Sequence, residues 1–477
     1  MRGILSISGY VPVHRLDRRE VAALFGSGGG KGTRAVAGHD EDTTTMGVEA
    51  ARLAMAGVEV SDLALLFATG TPAYADKTNA TALHAALGRP ASEPAWDFGG
   101  SARSAVGALG FALASYPTTL VVSADRRDGL ATSTDESGGG DSGAAVLVGE
   151  ATDSVPALAT QLGGASATDE FLDRWRVPGD RRSKQWEEKF GEQRYTALAL
   201  EAYGRALRQA GLEASTIDHL IVTSMHTRAA KAVAGKLSGG RDIIVDDLTQ
   251  SIGQTAGTHA LLLLAHLLES LAGSAGGATI ALVNLADGAD VVLLKTTPEI
   301  AHWVPAKPVA KQLERTSPLP YGKFLSWRQM VTVEPPRRPE PGRVSATAAW
   351  RSEEWKFAFV GSKDRTTGTV HLPPSRVSRV GGAVDDMEPA PMAKVRGTIV
   401  TFTIDRMVYS PSPPVAFAIV DFDGGGRFPI ELTDCTADQV AIGGRVEMTF
   451  RKLFTQDDIH DYFWKARLLP AESQGDN

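Results

Sequence analysis

An internal repeat is the feature that most restricts the fold of this 477-residue chain. The segment Ala56–Thr69 contains a helix end, a turn, an aspartate and an apolar run, and a similar segment recurs at Ala210–Thr223. Asp218 follows Asp62 by 156 residues. A second pair of apolar runs recurs at nearly the same offset, with Thr119–Ala124 and Gly143–Gly149 in the first copy and Thr279–Leu285 and Gly288–Lys295 in the second. Any α/β protein contains strands that look alike, but two pairs of similar segments at nearly one offset favour a duplicated unit with a pseudo-twofold axis.

Strand-like and helix-like segments alternate through residues 1–300. Short aliphatic runs such as Leu63–Ala68 and Leu220–Thr223 are typical of buried strands. Thr258–Leu271 is apolar enough for a helix enclosed between sheets. This alternation predicts an α/β fold with mixed sheets and helices between them. We place the two halves at residues 1–160 and 161–300.

The composition changes after about Thr296. Prolines crowd Glu334–Pro341, which predicts an extended linker within residues 301–345. After Lys394, apolar and polar residues alternate in several short runs, such as Val400 to Ile404. This pattern predicts a small all-β barrel of the OB type over residues 391–470.

Charge and cysteine content limit the function classes. The net charge of −7 disfavours a nucleic-acid surface, which normally carries a basic excess. Cys435 is the only cysteine, so neither an intramolecular disulfide nor a cysteine cluster for zinc can form. The apolar run at Ala260–Leu268 is too short to span a bilayer, and Met1–Tyr10 lacks the apolar core of a signal peptide. We therefore expect a cytoplasmic protein with no membrane partner.

Five short motifs occur in order within residues 1–300. They are Gly9–Pro12, Asp40–Met46, Gly140–Ala145, Phe171–Arg176 and Trp186–Gly191. Together with the repeat, they resemble 3-hydroxy-3-methylglutaryl-CoA synthases and β-ketoacyl synthase III of the thiolase superfamily. The resemblance implies a duplicated αβαβα core, an acyl-CoA or acyl-carrier thioester as ligand, and no tightly bound cofactor. It also implies a homodimer, or an assembly with a second thiolase-type subunit.

The acidic run Asp40–Asp42 has a simpler interpretation than a metal site. Carboxylates directly before a helix interact favourably with the positive end of the helix dipole. We therefore predict that these three acids mark the start of a helix.

Residues 346–390 resemble the zinc ribbon that precedes an OB-fold domain in proteins found beside thiolases. The hairpin Gly368–Pro374 carries this resemblance. The family places four cysteines around the hairpin, and the corresponding positions here are Asp364, Thr367, Ser378 and Gly381. Because the soft thiolate ligands are absent, we expect no zinc.

The catalytic positions implied by the synthase resemblance carry other residues. In that family a cysteine five residues after an aspartate takes the acyl group, and counting from Asp97 leads to Ala102. The family's glutamate, histidine and asparagine fall at Gly70, Thr223 and Gln254. A methyl group cannot form a thioester, so we predict no acyl-enzyme.

Neighbouring residues leave alternatives open. Ser101 and Ser104 flank Ala102, but neither has an evident base in the sequence. His226 either reaches the active-site cavity from its loop or is a packing histidine, and the sequence does not choose between them.

Two functions fit these residues. The first is an enzyme that makes or breaks a C–C bond without covalent catalysis, such as a retro-aldolase acting on β-hydroxyacyl-CoA, with His226, Tyr74 and Gln254 as candidates for base and hydrogen-bond donors. The second is a non-catalytic companion that binds acyl-CoA or assembles with an active thiolase. A nucleic-acid-binding OB fold is a third reading, which the acidic charge disfavours.

Overall fold

The computed structural model describes residues 1–114 and 117–470. The chain separates into two units. The first unit contains Met1–Ala37, Glu49–Thr81 and Ala91–Phe324. The second contains Gly38–Val48, Ala82–Pro90 and the chain from Leu325 onward.

The strands of the first unit are β1 (Arg2–Tyr10), β2 (His14–Asp17), β3 (Thr33–Val36), β4 (Leu63–Thr69), β5 (Ala95–Gly99), β6 (Thr118–Asp125), β7 (Ser142–Glu150), β8 (Ala159–Thr168), β9 (Arg174–Trp175), β10 (Lys184–Gln185), β11 (His219–Ser224), β12 (Thr279–Leu285), β13 (Gly288–Thr296) and β14 (Ser317–Pro318). The helices along the described chain are α1 (Arg19–Phe25), α2 (Thr43–Ala54), α3 (Ala80–Ala86), α4 (Ser104–Ala114), α5 (Thr134–Gly138), α6 (Glu188–Ala210), α7 (Thr227–Ser238), α8 (Thr258–Ser270), α9 (Val309–Glu314), α10 (Tyr321–Trp327) and α11 (Ala346–Arg351). Short 3₁₀ turns occupy Ala214–Thr216, Pro298–Ala301 and Ala437–Gln439, and a π-helical turn occupies Glu354–Ala358.

Nine strands of the first unit form one mixed sheet in the order β11-β12-β13-β8-β1-β7-β6-β4-β5. In the first half, β4 is parallel to β6, β6 is antiparallel to β7, and β7 is antiparallel to β1. The second half repeats this pattern with β11, β12, β13 and β8. The halves join where β1 and β8 pair antiparallel. The predicted duplication is therefore confirmed.

The repeated segments occupy matching places in the two halves. Leu63–Thr69 forms β4 and His219–Ser224 forms β11, so the two strand ends agree to within one residue. Beside β4 the first half has a fifth strand, β5, whereas beside β11 the second half has only a bridge from Leu220 to Ile244. The duplication is thus complete in the buried strands and reduced at one edge.

One hydrophobic core contains side chains from both halves around α4 and α8. Within β11, Ile221 belongs to this core, whereas Leu220 and Val222 belong to a second core with α6 and α7. Because side chains of a strand alternate between the faces of a sheet, each strand has one face toward α4 and α8. This layering confirms the predicted α/β arrangement with helices between sheet layers.

In the second unit the strands are β15 (Val360–Asp364), β16 (Val370–His371), β17 (Met387–Pro391), β18 (Gly397–Asp405), β19 (Val415–Phe422), β20 (Arg427–Thr433), β21 (Arg445–Gln456) and β22 (Ile459–Leu468). The last five close into a barrel in the order β18-β19-β20-β22-β21. A three-stranded sheet, β16-β15-β17, precedes the barrel. The predicted OB-type barrel is present, and Glu334–Pro341 contains neither helix nor strand. The predicted linker is shorter than residues 301–345, because α9, β14 and most of α10 fold within the first unit.

Buried charges tie the early segment Gly38–Val48 to the barrel strands of the same unit. The Asp40 carboxylate lies 3.1 Å from the Lys465 amine, and the Glu41 carboxylate lies 3.2 Å from the Arg451 guanidinium. Arg451 also lies 3.0 Å from Asp434. The helix-start interpretation therefore holds for Asp42, which accepts a hydrogen bond from the Thr45 amide, but Asp40 and Glu41 are ion-pair partners of the barrel.

Candidate functional site

Two buried helices of the first unit begin at the same place. Ala102 lies two residues before α4, and Gly257 directly precedes α8. A Cβ atom at Gly257 would come within 3.3 Å of the Ala102 Cα atom, so the glycine permits a close approach of the two segments. The first amide groups of a helix lack partners within the helix, and its N-terminus is electropositive. Ala102 therefore lies where two helices begin, although it carries no nucleophile, and the amides of Arg103 and Ser104 beside it are bonded to Ser101.

Asp125, the last residue of β6, connects these elements. One carboxylate oxygen accepts hydrogen bonds from the Gly70 amide at 2.8 Å and the Thr69 hydroxyl at 3.3 Å. The other accepts from the Thr258 amide at 3.1 Å and the Thr258 hydroxyl at 3.2 Å. Burial raises the pKa of Asp125, whereas the donors from Gly70 and Thr258 lower it by stabilising the carboxylate. These four contacts make Asp125 an anchor that holds the end of β4 to the start of α8.

The loop after β4 carries Gly70 and Tyr74. Asn79 fixes this loop, because its side chain accepts from the Tyr74 amide and donates to the Tyr74 carbonyl. Asp97 accepts in turn from the amides of Asn79 and Ala80 at the start of α3. The half-buried Tyr74 is therefore held on an ordered loop at the carboxyl end of β4.

Gln254 lies on the loop that leads into α8. Its Oε1 atom accepts a hydrogen bond of 2.7 Å from the Ala256 amide, so its side chain turns back toward its own loop. The Gln254 backbone pairs with Gly138 and Gly140, which belong to the glycine-rich segment before β7. Gln254 precedes Gly257, which lies against Ala102, by three residues.

Arg103 connects the start of α4 with the hairpin between β12 and β13. Its guanidinium forms two hydrogen bonds with Asp290, at 2.6 and 2.9 Å, and a third with the Asp287 carbonyl at 3.0 Å. Ser224, which follows Thr223, donates to the carbonyl of Leu285 at the end of β12. Through these contacts the structure brings the four implied positions, Gly70, Ala102, Thr223 and Gln254, to one end of the sheet.

His226 is the N-cap of α7. Its Nδ1 atom accepts from the Ala229 amide at 3.0 Å, and its Nε2 atom lies 2.9 Å from the Glu188 carbonyl, to which it donates. The ring is buried and lies edge-on to Tyr195, with centroids 5.9 Å apart. Both ring nitrogens thus have protein partners, and these contacts support the packing alternative. A catalytic role for His226 stays a prediction.

The serines beside Ala102 also have local roles. The Ser104 hydroxyl donates to the Gly99 carbonyl at 3.0 Å, and the Ser101 hydroxyl accepts from the Arg103 amide at 3.2 Å. Both hydroxyls therefore organise the turn that leads into α4.

The four positions that correspond to zinc-binding cysteines lie in the second unit. Asp364 ends β15, and its carboxylate accepts from the amides of Thr366 and Thr367. The neighbouring Ser378 and Thr367 hydroxyls hold the pKa of Asp364 well below its usual range. A side chain at Gly381 would approach the Thr367 methyl group to 3.2 Å. Hydrogen bonds therefore organise this hairpin, and no group of three or more His, Cys, Asp or Glu residues within 1–114 and 117–470 could hold a metal.

Known proteins show the same fold. An HMG-CoA synthase in complex with CoA superposes with a TM-score of 0.58 at 16% identity, covering 72% of this chain and 93% of that one. 3-Oxoacyl-(acyl carrier protein) synthase III from Pseudomonas aeruginosa gives a TM-score of 0.53 at 19% identity, covering 62% of this chain and 98% of that one. The chain has a thiolase-like fold.

Sequence comparison gives the same relatives. Hydroxymethylglutaryl-CoA synthase from Aeropyrum pernix is 28% identical over 69% of this chain and 95% of its own length. The enzyme from Pyrococcus furiosus is 28% identical over 53% of this chain and 75% of its own. The family model of the ChsH2 C-terminal OB-fold domain matches residues 390–451. The thiolase-like chain is thus similar to HMG-CoA synthases and carries an OB-fold domain.

Several polar residues of this site were not predicted from the sequence. Asp125, Thr258 and Arg103 contact the elements around Ala102, but none occupies a position that the resemblance marked. The repeat could have indicated Asp125, because this residue directly follows Thr119–Ala124, an apolar run of the duplicated unit. No helix among the described residues is long and apolar enough to cross a membrane.

Proposed function

We propose that this chain binds a CoA-linked acyl thioester beside Ala102 and acts on it without forming an acyl-enzyme. The observation that carries the proposal is the alanine at the point where α4 and α8 begin. Its amide is a donor suited to a thioester carbonyl, while the methyl side chain cannot accept an acyl group. The similar HMG-CoA synthases, one of them in complex with CoA, support the choice of ligand.

The reaction that suits such a site is cleavage of the bond between Cα and Cβ of a β-hydroxyacyl thioester. A base removes the hydroxyl proton, the C–C bond breaks to leave an aldehyde or ketone, and the electron pair moves onto the thioester as an enolate. Reprotonation at Cα then gives the shortened acyl thioester. A donor at Ala102 would stabilise the enolate oxygen. This cleavage does not need a cysteine. Tyr74 and the Gln254 amide are our candidates for proton transfer and hydrogen bonding, with His226 as the further candidate base.

Companion function without catalysis is the second candidate, and a specific observation favours it. His226 has both ring nitrogens bonded, and the Gln254 side-chain oxygen Oε1 accepts a hydrogen bond from the Ala256 amide. If no other base acts, the protein would bind the thioester and leave its chemistry to a partner thiolase.

Three measurements on the full chain test the proposal. Intact-mass spectrometry after incubation with acetyl-CoA should show no adduct, and an acetyl group mapped to Ser101 or Ser104 would refute non-covalent action. Calorimetry should show binding of acyl-CoA, and absence of binding would refute the function altogether. Release of an aldehyde or ketone from β-hydroxyacyl-CoA would establish the lyase, whereas binding without release, alone or with candidate thiolases, would favour the companion.

A further inference from the structure

Two buried polar groups lie side by side at the carboxyl ends of β11 and β12. Thr223 and Asn284 are paired across these parallel strands, and each side chain is only 3% exposed. Neither the Thr223 hydroxyl nor the Asn284 Nδ2 atom has a hydrogen-bond partner among the described residues. Buried polar groups are nearly always hydrogen-bonded, so two adjacent exceptions require an explanation.

The alternation of the strands shows which way these side chains point. Ile221 and Leu282 belong to the core around α4 and α8, and Thr223 and Asn284 each lie two residues further along the same strands. Residues two apart share a face of the sheet, so both polar groups face the layer that contains Ala102.

The next strand continues this polar row toward the start of α4. Asn284 is paired with Asp290 across β12 and β13, and Asp290 is bound by Arg103, the neighbour of Ala102. Asp290 is half-buried, and its partner on β8, Ser166, is exposed. The row therefore runs from a buried pair, past the proposed thioester position, to the surface.

The other half of the duplicated core provides an internal comparison. Its β6 corresponds to β12, and Ser123 of β6 faces the same layer near the strand end. The Ser123 hydroxyl is satisfied, because it lies 2.8 Å from the Thr258 hydroxyl of α8. The Ser123 hydroxyl of the first half thus has a partner within the protein, whereas Thr223 and Asn284 of the second half leave theirs open.

We infer that Thr223 and Asn284 form a recognition site for an oxygen on Cβ of the acyl chain, so that the protein selects β-oxygenated over saturated acyl thioesters. The amide is a donor and the hydroxyl both donates and accepts, which suits a hydroxyl or carbonyl oxygen and not a methylene. A site built to hydrogen-bond a substrate oxygen rejects the analogue that lacks it. This inference rests on the proposed function, because it assumes that the thioester lies beside Ala102.

The test compares two ligands that differ only in the β-oxygen. Calorimetry on the full chain would measure the affinities of 3-hydroxybutanoyl-CoA and butanoyl-CoA for the unmodified protein and for Thr223→Val, Asn284→Leu and the double variant. We expect the unmodified protein to prefer the hydroxylated ligand at least about tenfold, and the double variant to lose this preference while binding butanoyl-CoA as before. Thr223→Ser retains the hydroxyl and should retain the preference.

Thermal unfolding without ligand provides a readout that is independent of activity. Replacing unpartnered buried polar groups by apolar groups of similar shape should leave Tm unchanged or raise it. The matched control is Ser123→Ala, which removes a partnered hydroxyl and should lower Tm without changing the ligand preference.

Four results would overturn the inference. Equal affinity of the unmodified protein for both CoA esters would refute it and leave the proposed function intact. A preference that persists in the double variant, or a marked fall in Tm of the valine and leucine variants, would show that the pair is structural. Failure to bind either ester would refute the proposed function and this site together.

Discussion

At the scale of single residues, Glu269 has the clearest pH signature. It lies on α8, where its carboxylate accepts a 2.6 Å hydrogen bond from the Val309 amide, and burial raises the pKa of Glu269 to about 8. Between about pH 4.5 and 8, the folded protein therefore keeps a proton on Glu269 that the unfolded chain releases. The free energy of unfolding falls as the pH rises through this window, by up to about 1.4 kcal/mol per pH unit.

Glu269→Gln removes this titration and keeps an oxygen for the Val309 amide. We expect the free energy of unfolding of the variant, relative to that of the unmodified protein, to increase as the pH rises from 5 to 8. Urea denaturation at both pH values checks this, and parallel pH profiles for the two proteins would contradict the raised pKa.

His226 is the second case at this scale, because its contacts make it a helix cap. Glutamine can replace only one of its two hydrogen bonds, so His226→Gln should lower stability by about 1 kcal/mol. We expect any lyase activity to stay within about tenfold, since a general base contributes at least about 100-fold. A loss of about 100-fold or more in a folded variant, with an altered pH–rate profile, would instead establish His226 as the base.

At the scale of elements, Asp125 joins β4, β6 and α8. Asp125→Ala would leave the amides of Gly70 and Thr258 without their acceptor, so we expect a loss of about 2 kcal/mol or more in unfolding free energy. Asp125→Asn retains one oxygen and should lose less. Denaturant titration of both variants measures their unfolding free energies and so ranks their stabilities. An alanine variant as stable as the unmodified protein would show that the Asp125 contacts are dispensable.

The hairpin around Asp364 gives another prediction at this scale. Since the four positions that correspond to the cysteines carry no thiolate, and Asp364 accepts hydrogen bonds from Thr366 and Thr367, we expect elemental analysis of the full chain to show no zinc. Chelator treatment should leave Tm unchanged. One zinc per chain, or a fall in Tm with chelator, would contradict this.

Element types were more predictable than the contacts of the site. The repeat and the apolar runs predicted β4, β11 and α8, because buried strands and helices need apolar residues at fixed periods. Asp125 was not predicted because its hydrogen-bond partner Thr258 is distant in sequence. Asn284 was not predicted because only the pairing of β11 with β12 places it beside Thr223. His226 was ambiguous for the same reason, since only the fold shows that Glu188 and Ala229 use both of its nitrogens.

At the scale of the whole molecule, the exposed edge of the nine-stranded sheet bears on assembly. The edge strand β5 carries Trp96, which is 53% exposed, and Phe98 beside it lies 6.2 Å from the ring of Phe111, which is 54% exposed. Unpaired edges with apolar side chains tend to associate with another chain. This edge is our candidate for the interface of the expected dimer.

We predict that Trp96→Glu lowers the oligomeric state of the full chain, because a charge would be buried in that interface. Light scattering coupled to gel filtration measures the change. Trp186→Glu replaces an equally exposed tryptophan outside β5 and should have no effect. An unmodified protein that is monomeric, or a Trp96 variant that keeps its assembly, would rule out this interface.

The ion pairs of Asp40 and Glu41 have a consequence for how the chain is made. The barrel residues Arg451 and Lys465 are fully buried, and two of their counter-charges, on Glu41 and Asp40, precede them in the chain by 410 and 425 residues. Domains generally fold as units while the ribosome proceeds from the N-terminus, but residues 38–48 must wait for the last strands. A ribosome-bound nascent chain therefore holds an unfinished segment until the last two barrel strands have been made. A gene fragment that starts at the proline-rich linker would encode a barrel in which Arg451 keeps Asp434 and Lys465 keeps Glu431, but in which both cations lack the carboxylates of residues 38–48.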